Sequence, residues 1–233
     1  MAGGVITPVE LSENEQEVNI TFSGAEEIVF GYSTKLEAII SYMDPDLHYV
    51  DVDNLPNLKT ILFGAANGLY SFDVSHNPLL ENLRIANSHL HTLDVTQNPL
   101  LTTLEIYSNS LVTIDLSHNP LLETLDCHTN FLTTLNLTSN PALSTLYCDN
   151  NDLHTIFLPN TDPDLNLSLM ICDNLNLTDI YTMAMNNPNV GTGHFTIMSP
   201  SPSQDNNPSY TYHLKPLSDA DFEGGTYSGG NVT

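Results

Sequence analysis

Tyrosine, histidine and acidic residues recur at 21-residue spacings in the middle of the chain, and together they could form one ligand-binding surface. The candidate ligand-binding residues are Glu105, Tyr107, Asp126, His128, Tyr147 and Asp149. Aromatic rings bind sugars by stacking, and carboxylates beside them accept hydrogen bonds from hydroxyl groups. The alternative is that these residue types simply suit the exposed side of a strand.

A repeated leucine phrase determines where these side chains must lie. Its copies, 21 residues apart, are Leu83-Arg84-Ile85, Leu104-Glu105-Ile106, Leu125-Asp126-Cys127 and Leu146-Tyr147-Cys148. Each copy buries its apolar face against the next copy, so the period predicts a solenoid. Because side chains alternate along a strand, we expect the first and third residues of each phrase to be buried and the middle one to point outward.

A second apolar phrase follows in each coil and predicts an opposite wall. Ile114-Asp115-Leu116 and Leu135-Asn136-Leu137 are two examples. The remaining length leaves no room for a helix on this wall, so we expect flat, β-rich coils. Asn-Pro pairs predict the turns that close the coils. These pairs are Asn77-Pro78, Asn98-Pro99, Asn119-Pro120 and Asn140-Pro141.

The pattern resembles the bacterial 21-residue leucine-rich repeats of internalin J and of many Bacteroidetes surface proteins. In that family, too, a cysteine such as Cys127 can replace a core residue of the phrase. The family's asparagine ladder, five residues after each leucine, would consist of Asn109, Asn130 and Asn151. Ser88 and Leu175 depart from it at the outer coils. The resemblance covers residues 36–181 and implies a role in adhesion or ligand binding, without naming the ligand.

The sequence therefore predicts a mainly β fold, with a leucine-rich-repeat solenoid and its parallel sheet over residues 36–181. Residues 1–35 carry no repeat and are expected to form a small N-terminal β cap or anchor. Within them, the alternating polar and apolar residues of 17–22 and 28–32 predict two strands joined as a hairpin.

The C-terminal part, residues 182–233, is expected to form a cap and a Gly-, Ser- and Pro-rich tail. A short amphipathic helix is predicted at residues 178–185, where it would cover the last open coil. A further strand is predicted at residues 210–214. Open ends of a solenoid expose core residues, which is why we expect a cap at each end.

The chain is strongly acidic, since 4 Lys and Arg residues stand against 28 Asp and Glu residues and the formal net charge is −24. Nucleic acids require clustered basic residues and anionic membranes repel such a chain, so we expect neither as a partner. No segment is long and apolar enough for membrane insertion. A positively charged, neutral or carbohydrate-like partner stays open, as does the simpler role of the charge in solubility.

Residues with catalytic or metal-binding chemistry form no recognisable motif. GxSxG, HExxH and GxxxxGK[ST] do not occur, so we predict a protein that is not an enzyme and needs no cofactor. Equivalent repeat positions predict that Cys127, Cys148 and Cys172 pack in the core. We predict no metal site, although Ca²⁺ could bridge an acidic column of the opposite wall that is otherwise expected to be hydrated. The column consists of Asp51, Asp73, Asp94 and Asp115, followed by Asn136.

These features predict a non-enzymatic, extracellular recognition or adhesion module that binds a protein or glycan on a cell surface. Residues 1–8 lack the basic and apolar segments of a signal peptide, which favours a virion surface protein such as a phage fibre or capsid decoration. The alternative is a bacterial secreted or cell-surface leucine-rich-repeat adhesin whose signal was removed. A structural spacer without a ligand is the third hypothesis. A homo-oligomer, or assembly into a larger particle, is compatible with each of them.

Overall fold

Strands of three to five residues form at the leucine phrases and stack in parallel from coil to coil. The computed structural model describes residues 7–9, 17–20, 26–42, 47–64, 68–159, 169–172, 174, 177, 179–182, 196–198 and 213–216. These residues include no helix long and apolar enough to cross a membrane. In chain order, their strands are β1 Thr7–Val9, β2 Glu17–Ile20, β3 Glu27–Phe30, β4 Ala38–Tyr42, β5 Tyr49–Asp51, β6 Thr60–Gly64, β7 Asn82–Ile85, β8 Thr103–Glu105, β9 Thr124–Asp126, β10 Thr134–Asn136, β11 Thr145–Tyr147, β12 Thr155–Phe157, β13 Leu169–Ile171, β14 Asp179–Thr182, β15 Thr196–Met198 and β16 His213–Pro216.

Nine of these strands form the first wall of the solenoid, as the leucine phrases predict. Their order in the sheet is β15-β13-β11-β9-β8-β7-β6-β4-β2, and every registered pair is parallel. The second wall carries a three-stranded sheet, β1-β3-β5, and a four-stranded sheet, β10-β12-β14-β16. The predicted flat, β-rich coils are therefore confirmed.

Inward-pointing side chains from both walls form a continuous core. The leucines that begin the first phrases are fully buried: Leu83, Leu104, Leu125 and Leu146. Burial of one such side chain stabilises a fold by about 1.5–3 kcal/mol. The cysteines continue this core as predicted, since Cys127, Cys148 and Cys172 are buried and form no disulfide. Burial raises the pKa of the Cys127 and Cys148 thiols, so both stay protonated.

One asparagine in each central coil directs its buried side chain at the backbone of two coils. Asn130 is representative, because its Nδ2 donates to the carbonyl oxygens of Ile106 (3.0 Å) and Cys127 (3.0 Å). Its Oδ1 accepts a hydrogen bond from the backbone N–H of Leu111 (3.0 Å). One amide thus satisfies three backbone groups that would otherwise be buried without partners.

This first asparagine ladder extends further than the sequence predicts. It runs through Asn109, Asn130, Asn151 and Asn174. The predicted departure at Leu175 is wrong, because Asn174 takes the ladder position and donates to the carbonyl oxygens of Cys148 (3.1 Å) and Cys172 (2.9 Å). Ser88 does depart from the ladder, and its buried hydroxyl has no hydrogen-bond partner among the described residues.

The asparagines of the Asn-Pro turns form a second ladder, which the sequence analysis did not foresee. Asn119 Nδ2 donates to the carbonyl oxygens of Val95 (3.0 Å) and Asn98 (3.0 Å), both in the preceding coil. The equivalent residues repeat this geometry: Asn77, Asn98 and Asn140. The predicted turns are confirmed, since the Leu122 N–H donates to the Asn119 carbonyl oxygen (3.2 Å).

A left-handed backbone conformation recurs at the residue that immediately precedes a position of the first asparagine ladder. The residues concerned are Asn87 (φ 52°), Ser108 (φ 54°), Thr129 (φ 55°) and Asn150 (φ 52°). Asparagine tolerates this conformation, whereas a β-branched residue rarely adopts it. Thr129 is therefore held in an unfavourable conformation by the hydrogen bonds of the neighbouring coils.

The predicted N-terminal hairpin is wrong. Strand β2 pairs in parallel with β4, whereas β3 pairs in parallel with β1 and β5, so the two strands belong to opposite walls. Alternation of polar and apolar residues is common to hairpins and stacked coils, so this pattern did not distinguish them. Glu17 is in register with Ala38, at the spacing of the later repeats.

The predicted C-terminal helix is also wrong where the structure describes it. Asp179–Thr182 is strand β14, which lies between β12 and β16 in the second wall. Packing between these two strands overrides a local pattern that suits a short helix. Strand β16, His213–Pro216, overlaps the strand predicted at residues 210–214.

The division of the chain at residues 35 and 181 stays a prediction. Most of the predicted C-terminal cap and tail lies outside the described residues, which include only 182, 196–198 and 213–216 of that part. Residues 178 and 183–185 of the predicted helix lie outside them as well.

Replacing Thr129 by asparagine should stabilise the protein, because asparagine adopts the left-handed conformation more readily. The Thr129 side chain is exposed, so its removal costs no core contact. We expect Thr129→Asn to raise the free energy of unfolding by about 1 kcal/mol in urea titration. Thr133→Asn, at an exposed position outside the left-handed set, is the control. Equal effects of the two changes would contradict the strain at Thr129.

Replacing Asn130 by alanine should destabilise the protein by at least about 3 kcal/mol, because three buried backbone groups lose their partner. The same urea titration measures the loss. Gln97→Ala removes an exposed amide and should change the free energy of unfolding by less than about 0.5 kcal/mol. A comparable loss in both variants would show that the ladder amide has no special weight.

Candidate functional site

Strands β8, β9 and β11 bring all six candidate residues to the outer face of the first wall. They form two adjacent columns, called here the sheet-face patch: Glu105, Asp126 and Tyr147, and then Tyr107, His128 and Asp149. Adjacent strands lie about 4.8 Å apart, so neighbouring side chains are in contact range. The sequence correctly grouped these residues on one face, and their role in ligand binding stays a prediction.

The centre of the patch is an aromatic stack anchored by a carboxylate. The rings of Tyr107 and His128 are nearly parallel, with centroids 4.7 Å apart and an interplanar angle of 9°. His128 Nδ1 lies 2.5 Å from Asp126 Oδ1, which fixes the orientation of the imidazole ring. The three side chains are half-buried and present a preformed surface.

Arg84 extends the sheet-face patch, although its predicted outward position did not by itself make it a candidate ligand-binding residue. Its guanidinium group donates a hydrogen bond to the Tyr107 hydroxyl, and its Cζ lies 5.4 Å from the centroid of the Tyr107 ring. Arg84 Nε is 3.3 Å from Glu105 Oε2, which is an ion-pair distance without hydrogen-bond geometry. The sequence contains a signal for this ion pair, because Arg84 and Glu105 carry opposite charges at equivalent positions of adjacent coils.

Asp149 lies at the far end of the patch. Its side chain is half-buried, and burial raises the pKa of its carboxyl group. The charge of His128 and a hydrogen bond from Asn150 Nδ2 (2.7 Å) oppose this shift without cancelling it. Tyr147, also half-buried, is in register with Asp126 and completes this end of the patch.

A shallow depression adjoins the patch on the same face. Its volume is about 240 Å³, and its lining includes Leu62, Asn82, Arg84 and Glu105. Of these residues, only Glu105 was a candidate from the sequence. The depression gives the patch a recess in which one side chain of a partner could lie.

The acidic column of the second wall has a structural role. Asp94 Oδ1 accepts hydrogen bonds from the Thr96 backbone N–H (2.9 Å) and hydroxyl (2.7 Å). The same backbone hydrogen bond, two residues on, occurs at Asp51, Asp73, Asp115 and Asn136. These hydrogen bonds lower the pKa of Asp73, Asp94 and Asp115, which are therefore ionised at neutral pH. Each of these coils carries Asp or Asn at this position because the side-chain oxygen of either residue can accept the backbone hydrogen bond of the short turn that follows.

One group of side chains on this wall has the geometry to hold a metal ion. Ligand atoms of Asp53, Asp73 and His76 lie within 4.8 Å of one another, and all three residues are exposed. His76 Nδ1 lies 3.4 Å from Asp53 Oδ1, so the two side chains also form an ion pair when the histidine is protonated. Exposed groups of this kind are common without a metal, and the expectation of no metal site stays a prediction.

The fold and its ladders define the protein as a leucine-rich-repeat β-solenoid. No protein-family model and no curated protein matches the sequence. Solved structures of leucine-rich-repeat proteins do match, and no enzyme family is indicated. The cysteines of the central coils do not offer a nucleophile either, since their thiols are buried and protonated.

Three of these similar structures illustrate the match. The functional domain of InlJ from Listeria monocytogenes, which includes a cysteine ladder, has 25% sequence identity and a TM-score of 0.46, and the match covers 69% of this chain and 49% of that chain. The LRIM1/APL1C complex has 18% identity and a TM-score of 0.52, covering 76% and 35%. A leucine-rich-repeat protein from Leptospira interrogans has 13% identity and a TM-score of 0.40, covering 84% and 79%. The chain thus spans about half of the InlJ domain and about a third of the matched LRIM1/APL1C chain.

Replacing Asp149 by asparagine should stabilise the protein at neutral pH, because burial raises the pKa of this carboxyl and disfavours its ionised form. The gain should be present at pH 7 and should shrink as the pH falls through the raised pKa, since the protonated acid is as neutral as the amide. Urea titrations at pH 7 and pH 3 measure it. Asp115→Asn, which removes a carboxyl with a lowered pKa, should give no gain at pH 7. A gain from Asp149→Asn that is independent of pH would contradict this explanation.

Proposed function

We propose that the protein is a non-enzymatic recognition module that binds a partner on a cell surface through the sheet-face patch. The observation that carries the proposal is a contrast within the leucine phrase. Its inward leucine recurs unchanged in the central coils, whereas the outward residue changes from Arg84 to Glu105, Asp126 and Tyr147. The coil contacts do not dictate the outward residues, which are therefore available for a ligand.

The geometry of the patch supports a binding role over a purely structural spacer. The stack of Tyr107 on His128 and the contact of His128 with Asp126 hold three polar side chains in place before any ligand arrives. Side chains that are already ordered lose less entropy on binding, which increases affinity. Solenoids also present extended surfaces on which such residues add up from coil to coil.

The proposed location is outside a cell, and the proposed carrier is a virion whose surface displays the protein. A bacterial secreted or cell-surface leucine-rich-repeat adhesin is the second candidate. An acidic surface with a formal charge of −24 keeps such displayed modules soluble and apart. Neighbouring genes distinguish the candidates, because capsid and tail genes accompany the first, whereas genes for secretion or wall attachment accompany the second.

Cell binding tests the proposal directly. The full chain, labelled with a fluorophore, is incubated with a panel of bacterial strains and scored by flow cytometry. We expect the triple variant Tyr107→Ala, His128→Ala, Tyr147→Ala to lose binding to the positive strains at least about tenfold. Protease treatment of the cells should abolish binding if the partner is a protein, and periodate treatment should abolish it if the partner is a glycan.

A matched control removes two exposed aromatic side chains and one histidine outside the patch. It combines Tyr70→Ala, His118→Ala and Phe131→Ala. Circular dichroism and urea titration establish that both variants fold. The proposal fails if the two variants bind equally well, and binding to no strain in the panel would favour the spacer hypothesis.

A further inference from the structure

One carboxylate of the sheet-face patch, that of Asp149, belongs to no ion pair among the described residues. Glu105 pairs with Arg84, and Asp126 contacts the ring of His128. None of the four ion pairs in the described part of the chain includes Asp149. With only four Lys and Arg residues in the whole sequence, the chain has few cations to supply.

The burial of Asp149 determines which ligands suit this position. Its half-buried carboxyl has a pKa raised by burial, and the charge of Asp126 raises it further. A neutral ligand, such as a sugar, can donate hydrogen bonds to the carboxylate but brings no positive charge to compensate it. A cation would instead compensate the charge while it covers the residue.

The patch already contains an example of the group it would bind. Arg84 lies over the Tyr107 ring at 5.4 Å, hydrogen-bonds to the Tyr107 hydroxyl and pairs with Glu105. One guanidinium thus uses one aromatic ring and one carboxylate of the next coil. Further along the same face, Tyr147 and Asp149 offer the same two kinds of group, and no arginine of this chain accompanies them among the described residues.

The overall charge of the chain acts in the same direction. A formal charge of −24 attracts a cationic partner over a longer range than any single contact and accelerates its association. The Debye length is about 8 Å at physiological ionic strength, so this attraction should weaken as salt is added.

We infer that the sheet-face patch binds an arginine side chain of a protein partner, whose guanidinium group pairs with Asp149 beside the ring of Tyr147. The inference rests on the proposed function and deepens it, because it selects a protein over a glycan as the partner. It also explains why a carboxylate that burial disfavours occurs in the patch.

Small probes test the charge requirement separately from cell binding. The isotope-labelled full chain is titrated with N-acetyl-arginine N-methylamide, with the uncharged isostere N-acetyl-citrulline N-methylamide, and with methyl glycosides. We expect the arginine derivative to shift the NMR signals of His128, Tyr147 and Asp149, and to bind at least about tenfold more tightly than the citrulline derivative. Added NaCl should lower the affinity of the arginine derivative more than that of the citrulline derivative.

A pair of variants matched in charge locates the interaction. Asp149→Asn should weaken binding of the arginine derivative at least about fivefold. Asp115→Asn removes the same charge from the second wall and should leave the affinity within about twofold. Both variants replace a carboxylate by an amide of the same shape, so a loss of folding is not expected.

The outcomes separate this inference from the proposed function. Equal binding of the arginine and citrulline derivatives, binding of methyl glycosides alone, or no binding of any probe would overturn the inference. If the triple patch variant still loses cell binding in that case, the patch remains the recognition surface and its ligand is not cationic. If cell binding persists in the triple variant, the proposed function fails as well.

Discussion

The solenoid depends on hydrogen bonding of backbone groups that its corners direct into the core. A coil of about 21 residues turns sharply several times, and at each turn carbonyl and N–H groups lose their strand partners. Two asparagine ladders supply the missing partners, one at the ends of the first wall's strands and one in the Asn-Pro turns. An amide suits the first ladder because it donates and accepts at once, whereas the amides of the turns donate through Nδ2 and their Oδ1 atoms have no partner among the described residues. The asparagine spacing therefore matches the period of the leucines, which fill the space between the two ladders.

The same constraint separates structural positions from functional ones. The leucines of the repeated phrases, the cysteines and the ladder asparagines point inward and are buried, so their identities are fixed by packing and hydrogen bonding. Outward residues of the first wall are aligned by the register but remain free in type. Consequently, the fold specifies where the proposed ligand-binding surface lies and leaves its chemistry to the residues that occupy it. The acidic column of the second wall shows the opposite case, in which an outward carboxylate serves its own turn.

The sequence predicts the repeat and its core well because period and burial are linked directly. It fails in the pairing of the strands at residues 17–20 and 27–30 and in the element at residues 179–182, where short segments without the leucine phrase fit more than one arrangement and distant strands decide the outcome. The Asn-Pro pattern does not predict the ladder of Asn119, because the pattern alone is sufficient to indicate a turn and carries no information on the hydrogen bonds of the asparagine side chain. For the candidate site, the columns follow from the register alone. The contacts of Arg84 and the burial of Asp149 depend on side-chain conformation, which spacing does not contain.

Equivalence of the central coils has a consequence for how such a chain can change its length. Each of these coils meets its neighbours through the same register, the same two ladders and the same core positions. A duplication or deletion of one 21-residue cassette would preserve the register and the ladder hydrogen bonds at the junctions, whereas the contacts of the outward side chains would change. The outer face of the first wall would then grow or shrink in increments of about 4.8 Å, without redesign of the interior. Recombination between repeats thus changes the length of this outer face, whereas point mutation of the outward residues changes its chemistry.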